Sequence, residues 1–432
     1  MRPNFNTILK LSGFPVDEAY VVFKEALETD KTSWQEVKKW EIFKFHYENN
    51  QFYKQFAGNE FSNWNDIPVI RRKDLKGDFI SKIPSELTRK KLYISSTSGS
   101  SGDPLYFARD PLTHALVWEN VSYLLGQVGV SLNDYQARMF GMSRKMSDII
   151  KNRLKDWLSN RYRFNVFDVS DEALAGWTKQ FQRKKFKYIY GYTNSLVLFA
   201  QYLINCNYTL KSLVPSLKSC IITSEVCTNK DEETLSKGLG IPVFNEYGSS
   251  ELGIMGFKKN DFWDTSNELI YYEVLDENDN ILPDGELGFL TCTSLFNKAT
   301  PFIRYQLGDL ASIRRNGAQT QITDIKGSLN DLAILPSGKK VPGISFYFVV
   351  QDIIESSHNI KEFLFRQTLD GFNFEYVSDN PISDTDFNKI KKSVSLHLKE
   401  EINLSAVRTD KLQRGKNGKF KHFISSMLAS QE

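Results

Sequence analysis

Ile94-Ser95-Ser96-Thr97-Ser98-Gly99-Ser100-Ser101-Gly102-Asp103-Pro104-Leu105-Tyr106-Phe107 sets hydroxyls and glycines between two apolar, strand-like runs. Gly99 and Gly102 let the backbone bend so that several N–H groups converge, and the Ser and Thr hydroxyls add donors around the concavity. A chain can hold phosphate this way without a fixed charge. Pro104 closes the turn. A flexible Ser/Gly linker has a similar composition, but linkers seldom lead straight into a strand such as Leu105-Tyr106-Phe107. The stretch reads as an anion-binding loop. It is not a Walker A loop, since no Gly-Lys-Ser/Thr ends it.

Upstream, Lys91 to Ile94 is expected as the strand that delivers this loop, and the apolar spacing from Val16 to Phe56 predicts two packed helices. Downstream, strand-like and helix-like segments alternate. Strands are expected at Ala137 to Met142, Phe164 to Asp168, Tyr188 to Tyr190, Leu217 to Thr223 and Pro242 to Phe244, with helices between them. Such alternation predicts a mostly parallel sheet covered by helices, with ligands bound beyond the carboxyl ends of its strands. From Leu269 to Asp324 the pattern shifts to strands joined by turn-rich pieces. Beyond Gly327 a hairpin around Pro336-Ser337-Gly338, a helix from Ser345 to Glu355, strands near Phe363 and Phe374 and a helix from Phe387 to Leu398 predict a small α+β domain.

The 432 residues exceed one ordinary core, so two or three domains are expected. A net charge of +3 is too small for a nucleic-acid binder. No run approaches the length of a membrane span and Met1 to Gly13 lacks a signal-peptide core, so a cytoplasmic protein is expected. Cys206, Cys220, Cys227 and Cys292 lack metal-type spacing and read as free thiols.

Three more stretches fall at loops. In Phe244-Asn245-Glu246-Tyr247-Gly248-Ser249-Ser250-Glu251, Tyr247 is suited to stack on a base and Glu251 to hold a divalent cation near phosphate. A structural turn with a surface Glu is the alternative. In Arg304-Tyr305-Gln306-Leu307-Gly308-Asp309-Leu310, Asp309 is placed to accept ribose hydroxyls or to form a turn. The third, Arg414-Gly415-Lys416-Asn417-Gly418-Lys419-Phe420-Lys421, reads on its own as a solvated charge run.

In this order and spacing the four stretches resemble the adenylate-forming superfamily of acyl-CoA synthetases, and within it the phenylacetate-CoA ligase branch, particularly its capsular-polysaccharide-associated members. The resemblance runs from about Asp66 to Ile424. It implies an α/β fold: a large N-terminal domain over 1–326, helical over 1–60 and β-rich over 267–326, then a hinge at 327–331 with Asp331 as pivot, and a small mobile α+β domain over 332–432. It implies that Ser96, Thr97, Ser98, Gly99, Ser100, Ser101 and Gly102 hold ATP phosphates. Ser224, Glu225, Asn245, Glu246, Tyr247, Gly248, Ser249, Ser250 and Asp309 would line adenine and ribose. Glu251 would hold Mg2+, Lys419 would assist adenylation, and Phe140, Tyr190, Gly191, Tyr192 and Thr193 would form the acyl pocket. Two departures stand out. Ser328 replaces the frequent hinge arginine, leaving Arg304 or Lys326 to contact the nucleotide, and Asp103 stands where a lysine is frequent.

The implied reaction is ATP-dependent activation of a small-molecule carboxylic acid to an acyl-adenylate, releasing pyrophosphate, followed by transfer to coenzyme A. Transfer to an amine, such as an amino sugar in polysaccharide biosynthesis, is the close alternative. A non-catalytic nucleotide-binding module is the distant one. The aromatic residues around Phe140, Tyr190 and Tyr192 predict an apolar pocket that prefers an aryl or medium-chain acid to acetate.

Overall fold

A computed structural model describes residues 4–59, 61–87, 92–97, 105–141, 146–317, 319–328, 332–343, 346, 349–350, 353–354, 360–414 and 420–425. The chain divides into two compact units, the main body of the first ending at Asp324 and that of the second beginning at Ile325.

The first unit is built on a sheet whose strands alternate sides residue by residue. The hairpin β1 (Tyr93–Ser96) and β2 (Tyr106–Arg109) stands apart from it. The sheet's strands are β3 (Gln136–Phe140), β4 (Arg161–Asn165), β5 (Tyr188–Tyr192), β6 (Ser219–Thr223), β7 (Val243–Ser249), β8 (Gly253–Lys259), β9 (Phe262–Thr265), β10 (Ile270–Leu275), β11 (Gly288–Ser294), β12 (Tyr305–Asn316) and β13 (Gln319–Ser328). Their order is β10-β11-β12-β13-β9-β8-β7-β6-β5-β3-β4. The run from β4 to β7 is parallel and β7, β8 and β9 are antiparallel neighbours. Alternation divides the core accordingly. Tyr188 and Ile221 pack with Phe5, Leu9, Leu124 and Leu125 on one side. Met139, Ile189 and Ile222 pack with Trp177, Phe199 and Leu235 on the other. Both faces are thereby covered, as a parallel sheet requires.

Local signals set the helix ends. Asp110 accepts from the Thr113 backbone N–H to start the helix Pro111–Gln127, and Thr228 with Asp231 forms a capping box at the start of Asn229–Leu239. The expected pair of helices over 16–56 is three: Val16–Glu28, Lys31–Asn49 and Gln51–Ala57. The extra break comes from Asn50, whose extended backbone ends one helix while its side chain accepts from Tyr53 N at 3.1 Å to cap the next. The strands β8 and β9, which form a hairpin at the centre of the sheet, were not expected from the pattern.

A buried ion pair joins the N-terminal segment to the β-rich part. Arg304, 1% exposed, adopts a positive φ of 45°, and its Nε lies 3.3 Å from Glu273 Oε1. Its Nη1 donates to the carbonyls of Asn65 at 2.8 Å and Ile67 at 2.6 Å. Trp64 Nε1 donates to the other Glu273 oxygen at 3.1 Å.

The second unit contains the hairpin β14 (Leu332–Ile334) and β15 (Lys340–Pro342), and a sheet ordered β18 (Leu404–Arg408), β17 (Gly371–Ser378), β16 (Ile360–Thr368), β19 (Phe423–Ser425). The helix Asp384–Leu398 supplies Ile390 and Val394 to a core that includes Phe346, Phe365, Phe372 and Phe374. The expected helix from Ser345 to Glu355 falls largely outside the described residues.

Because Glu273 neutralises a guanidinium that has no access to water, Glu273→Ala should destabilise the first unit by about 3–5 kcal/mol. Urea unfolding followed by tryptophan fluorescence measures it, and a loss below about 1 kcal/mol contradicts the role given to this pair.

Candidate active site

Parallel strands end at one edge of a sheet, and here register fixes which residues meet there. Phe140 pairs with Asn165, Tyr192 with Thr223, and Thr223 with Glu246, while Met139 beside Phe140 pairs with Gly191 beside Tyr192. Five strands thus bring Asn165, Phe140, Tyr192, Thr223 and Glu246 into one row at their carboxyl ends. Gly191 permits this, since a Cβ there would stand 2.3 Å from Met139 Cβ and 2.6 Å from its carbonyl oxygen. Phe140 meets Tyr190 edge-on at 5.3 Å and Tyr192 at 4.7 Å. Thr193 is buried beside them at the start of the helix Thr193–Asn205.

The second constellation is the turn after β7. Gly248 is exposed and accepts no side chain, because a Cβ would stand 2.5 Å from the carbonyl oxygen of Gly253. Tyr247 and Ser249 are half-buried, Ser250 is exposed, and Ser249 Oγ accepts from Leu252 N at 3.1 Å. Glu251 is buried, and Tyr305 donates its hydroxyl to Glu251 Oε1 at 3.1 Å. Arg109 Nη2 donates to the carbonyls of Ser250 at 2.7 Å and Glu251 at 3.2 Å. Burial lowers the Arg109 pKa, while Tyr93 and Glu251 support its charge. No reading of the sequence singles out Arg109, which looks like a strand-end cation before a helix cap. Only the meeting of two segments 141 residues apart reveals its role.

Arg109 ends β2, the strand that leaves the Ser/Gly loop. The loop is the connection of a hairpin: Thr97 N donates to Leu105 O at 2.9 Å, and Leu105 N donates to Thr97 Oγ1 at 3.1 Å. Ser96 is exposed at the end of β1 and Thr97 is half-buried. Ser98, Gly99, Ser100, Ser101 and Gly102, with Asp103, lie outside the described residues, as do Asp331 and Lys419. Arg414 donates to Glu362 Oε1 at 2.6 Å, and its guanidinium lies 5.2 Å over the buried ring of Phe420.

Several expected nucleotide contacts have other partners. Arg304 is sealed in the core by Glu273, Asn65 and Ile67, so it does not supply the cation missing at Ser328. Glu225 accepts from Asn194 N at 2.7 Å and so caps the helix Thr193–Asn205. Its neighbour Ser224 sits at φ 69° just past β6, a strained left-handed backbone of the kind found at functional edges. Glu246 turns into the protein, where Tyr190 donates its hydroxyl to Glu246 Oε2. Asn245 and Asp309 are half-buried on β7 and β12, and Lys326 is placed on β13 by its backbone alone.

Among the described residues, no group of three or more His, Cys, Asp or Glu side chains gathers as a metal cage. Glu251 offers hard carboxylate oxygen, the donor that suits a magnesium ion shared with phosphate oxygens. The carbonyls of Ser250 and Glu251 are already taken by Arg109. No described helix is long and apolar enough to cross a membrane.

Burial pushes the Glu246 carboxyl up to about 7, against the opposing hydrogen bonds from Tyr190 and Thr223 and the charge of Arg138. A carboxyl whose pKa rises from 4.5 on folding binds its proton more tightly folded than unfolded, so stability falls as pH climbs through that window. The loss above pH 7 amounts to about 3 kcal/mol. Glu246→Gln should remove this decline, and urea unfolding of both proteins at pH 5 and pH 8 tests it. Parallel pH dependence in the two would contradict the burial argument.

No family model matches the sequence. Protein CapK of Staphylococcus aureus is 24% identical over 383 residues, covering 83% of this chain and 80% of CapK. Phenylacetate-coenzyme A ligase of Pseudomonas putida is 31% identical over 129 residues, covering 28% of this chain and 29% of that enzyme. Among solved structures, a 2-hydroxyisobutyryl-CoA ligase in the postadenylation state superposes with a TM-score of 0.67 at 15% identity, covering 90% of this chain and 87% of the other.

Proposed function

We propose, from the premise that this chain has the fold of the adenylate-forming CoA ligases and sequence likeness to CapK and a phenylacetate-coenzyme A ligase, that it is an AMP-forming carboxylate ligase. The observation that carries this reading is Arg109, which ties the stem of the Ser/Gly hairpin to the turn bearing Glu251. A loop suited to phosphate and a fixed carboxylate suited to magnesium belong together when the ligand is a nucleoside triphosphate.

In the first step the substrate carboxylate oxygen attacks the α-phosphorus of ATP. The bond to the bridging oxygen breaks, and pyrophosphate leaves with its electron pair, giving an acyl-adenylate. Magnesium, held by Glu251 and the nucleotide phosphates, would neutralise phosphate charge. Of the chain's own groups, the amides and hydroxyls of residues 96–102 hold the phosphates, and Lys419 carries positive charge to the α-phosphate. Tyr247 stacks on adenine and Asp309 accepts the ribose hydroxyls. Phe140, Tyr190, Tyr192 and Thr193 hold the acid in line for attack, which supplies much of the rate. In the second step the thiol of coenzyme A attacks the acyl carbon and loses its proton, and AMP leaves. Residues 1–326 form the adenylating domain in this reading, 327–331 the hinge with Asp331 as pivot, and 332–432 the domain carrying Lys419.

Pyrophosphate release across a panel of carboxylic acids tests the reading, and release with none of them overturns it. Addition of coenzyme A or an amine then identifies the acceptor. Glu251→Gln should lower the first half-reaction by about 100-fold with the fold intact. Lys419→Ala should suppress acyl-adenylate formation by about 100-fold or more, with little effect when preformed acyl-adenylate is supplied. Equal losses in both half-reactions would show that Lys419 has no special part in adenylation.

A further inference from the structure

The ring cluster expected to be apolar contains a guanidinium. Arg138, on β3 one alternation below Phe140, places its Cζ 4.2 Å from the centroid of the Phe140 ring and 5.7 Å from that of Tyr190. Its Nε is buried with no hydrogen-bond partner among the described residues, and Nη1 donates to Gln136 Oε1 at 3.4 Å. Strand register sets Arg163 beside it on β4 and Tyr190 beside it on β5, while Arg161 on β4 pairs with Gln136 two residues earlier. Three guanidinium groups therefore share one face at this end of the sheet.

The acids nearby are already engaged. Asp156 gives both oxygens to Arg163, at 2.8 Å to Nε and 3.0 Å to Nη2. Glu246 accepts the Tyr190 hydroxyl, and burial raises its carboxyl pKa to about 7. Burial and the like charges of Arg161 and Arg163 push the Arg138 pKa down to about 10, against smaller opposing contributions from Tyr190 and Asp156, which still leaves it charged at physiological pH. Arg138 is half-buried, but its Nε is closed off from water without an acceptor, and that cost is recovered when a ligand brings one. Aromatic faces hold the guanidinium plane but do not neutralise it. Its planar fork matches carboxylate, phosphate or sulfate.

We propose that Arg138 forms an anion subsite within the acyl pocket, so that the acid activated here carries a second anionic group on its acyl arm. This rests on the carboxylate-ligase reading, deepens it by naming the substrate class, and adds a second anionic group to the aryl or medium-chain acid expected from the sequence. The carboxylate to be activated faces the nucleotide, and the second anion turns inward over Phe140 to pair with Arg138. A site built to pair a buried charge rejects the analogue lacking that charge, because the guanidinium is then left alone.

The experiment compares matched acids: malonate, succinate, glutarate and adipate against propionate, butyrate, valerate and hexanoate, with terephthalate against benzoate. Pyrophosphate release gives kcat/KM for each, and thermal melting at millimolar acid gives binding without turnover. At least one diacid should exceed its partner by tenfold or more in kcat/KM. Arg138→Met should abolish that preference while leaving KM for ATP unchanged, and Arg138→Lys should retain part of it, which separates recognition from a folding defect. Monoacids used as well as diacids by the wild type, or an undiminished preference in Arg138→Met, overturns the subsite. A diacid that raises the melting temperature through Arg138 without any pyrophosphate release would instead sustain the subsite and overturn the ligase reading.

Discussion

The hydrogen bonds from Arg109 to the carbonyls of Ser250 and Glu251 hold together two segments that the chain keeps far apart. β1 and β2 form a hairpin outside the large sheet, so the sheet's own ladder does not place them. Position comes instead from contacts along β2 and just after it. Ala108 N donates to Thr300 Oγ1 at 2.9 Å, Asn297 Nδ2 donates to Ala108 O at 3.1 Å, and Asp110 accepts from Lys298 N at 2.9 Å. Arg109 adds the contact that matters to the site, because the carbonyls it binds belong to the residue carrying the carboxylate and to the one before it. A buried arginine hydrogen-bonded to carbonyls costs desolvation. In return the turn has a fixed backbone, and Tyr305 fixes the carboxylate within it.

Arginines set the limits of what the sequence discloses. Arg304, Arg109 and Arg138 look alike in the chain, each a cation beside aromatic or apolar residues. The fold gives them three different environments. Arg304 neutralises Glu273 in the core, Arg109 braces a turn, and Arg138 lies over Phe140 with its Nε unpaired. A pattern of apolar and polar positions marks all three as solvated, since charged residues are seldom fully buried. Only tertiary placement tells a fully paired cation from one whose Nε is left without an acceptor.

The parallel strands were legible because each is a short apolar run bounded by turn residues, and the helices between them carry ordinary caps. Boundaries at the site edge were less so. β7 was expected to end at Phe244 but continues through Tyr247 to Ser249. The motif residues looked like loop because Asn245, Glu246 and Gly248 have poor strand preference, and pairing with β8 overrides it. That extension explains why Glu246 points inward: in a strand, its neighbours Asn245 and Tyr247 must face the other side. The break at Asn50 was missed for a related reason. Apolar spacing continues across it, and only the side-chain cap marks the boundary.

The Ser/Gly loop leaves a stem in which Thr97 and Leu105 bond each other. In the proposed reading, recognition of the acid falls to side chains on adjacent parallel strands, where a shift of one residue would turn Phe140, Tyr192 and Glu246 to the opposite face. Gly191 holds that register by allowing β5 to lie against Met139 where no larger residue fits. A guanidinium with an unpaired Nε can discriminate between acids only if its surroundings do not relax to meet whatever enters. Arg138 has such surroundings, with Phe140 and Tyr190 stacked against it, Tyr190 bonded to Glu246, and Asp156 taken by Arg163. Had the same arginine stood on a surface loop, water would supply its missing partner and the charge would select nothing.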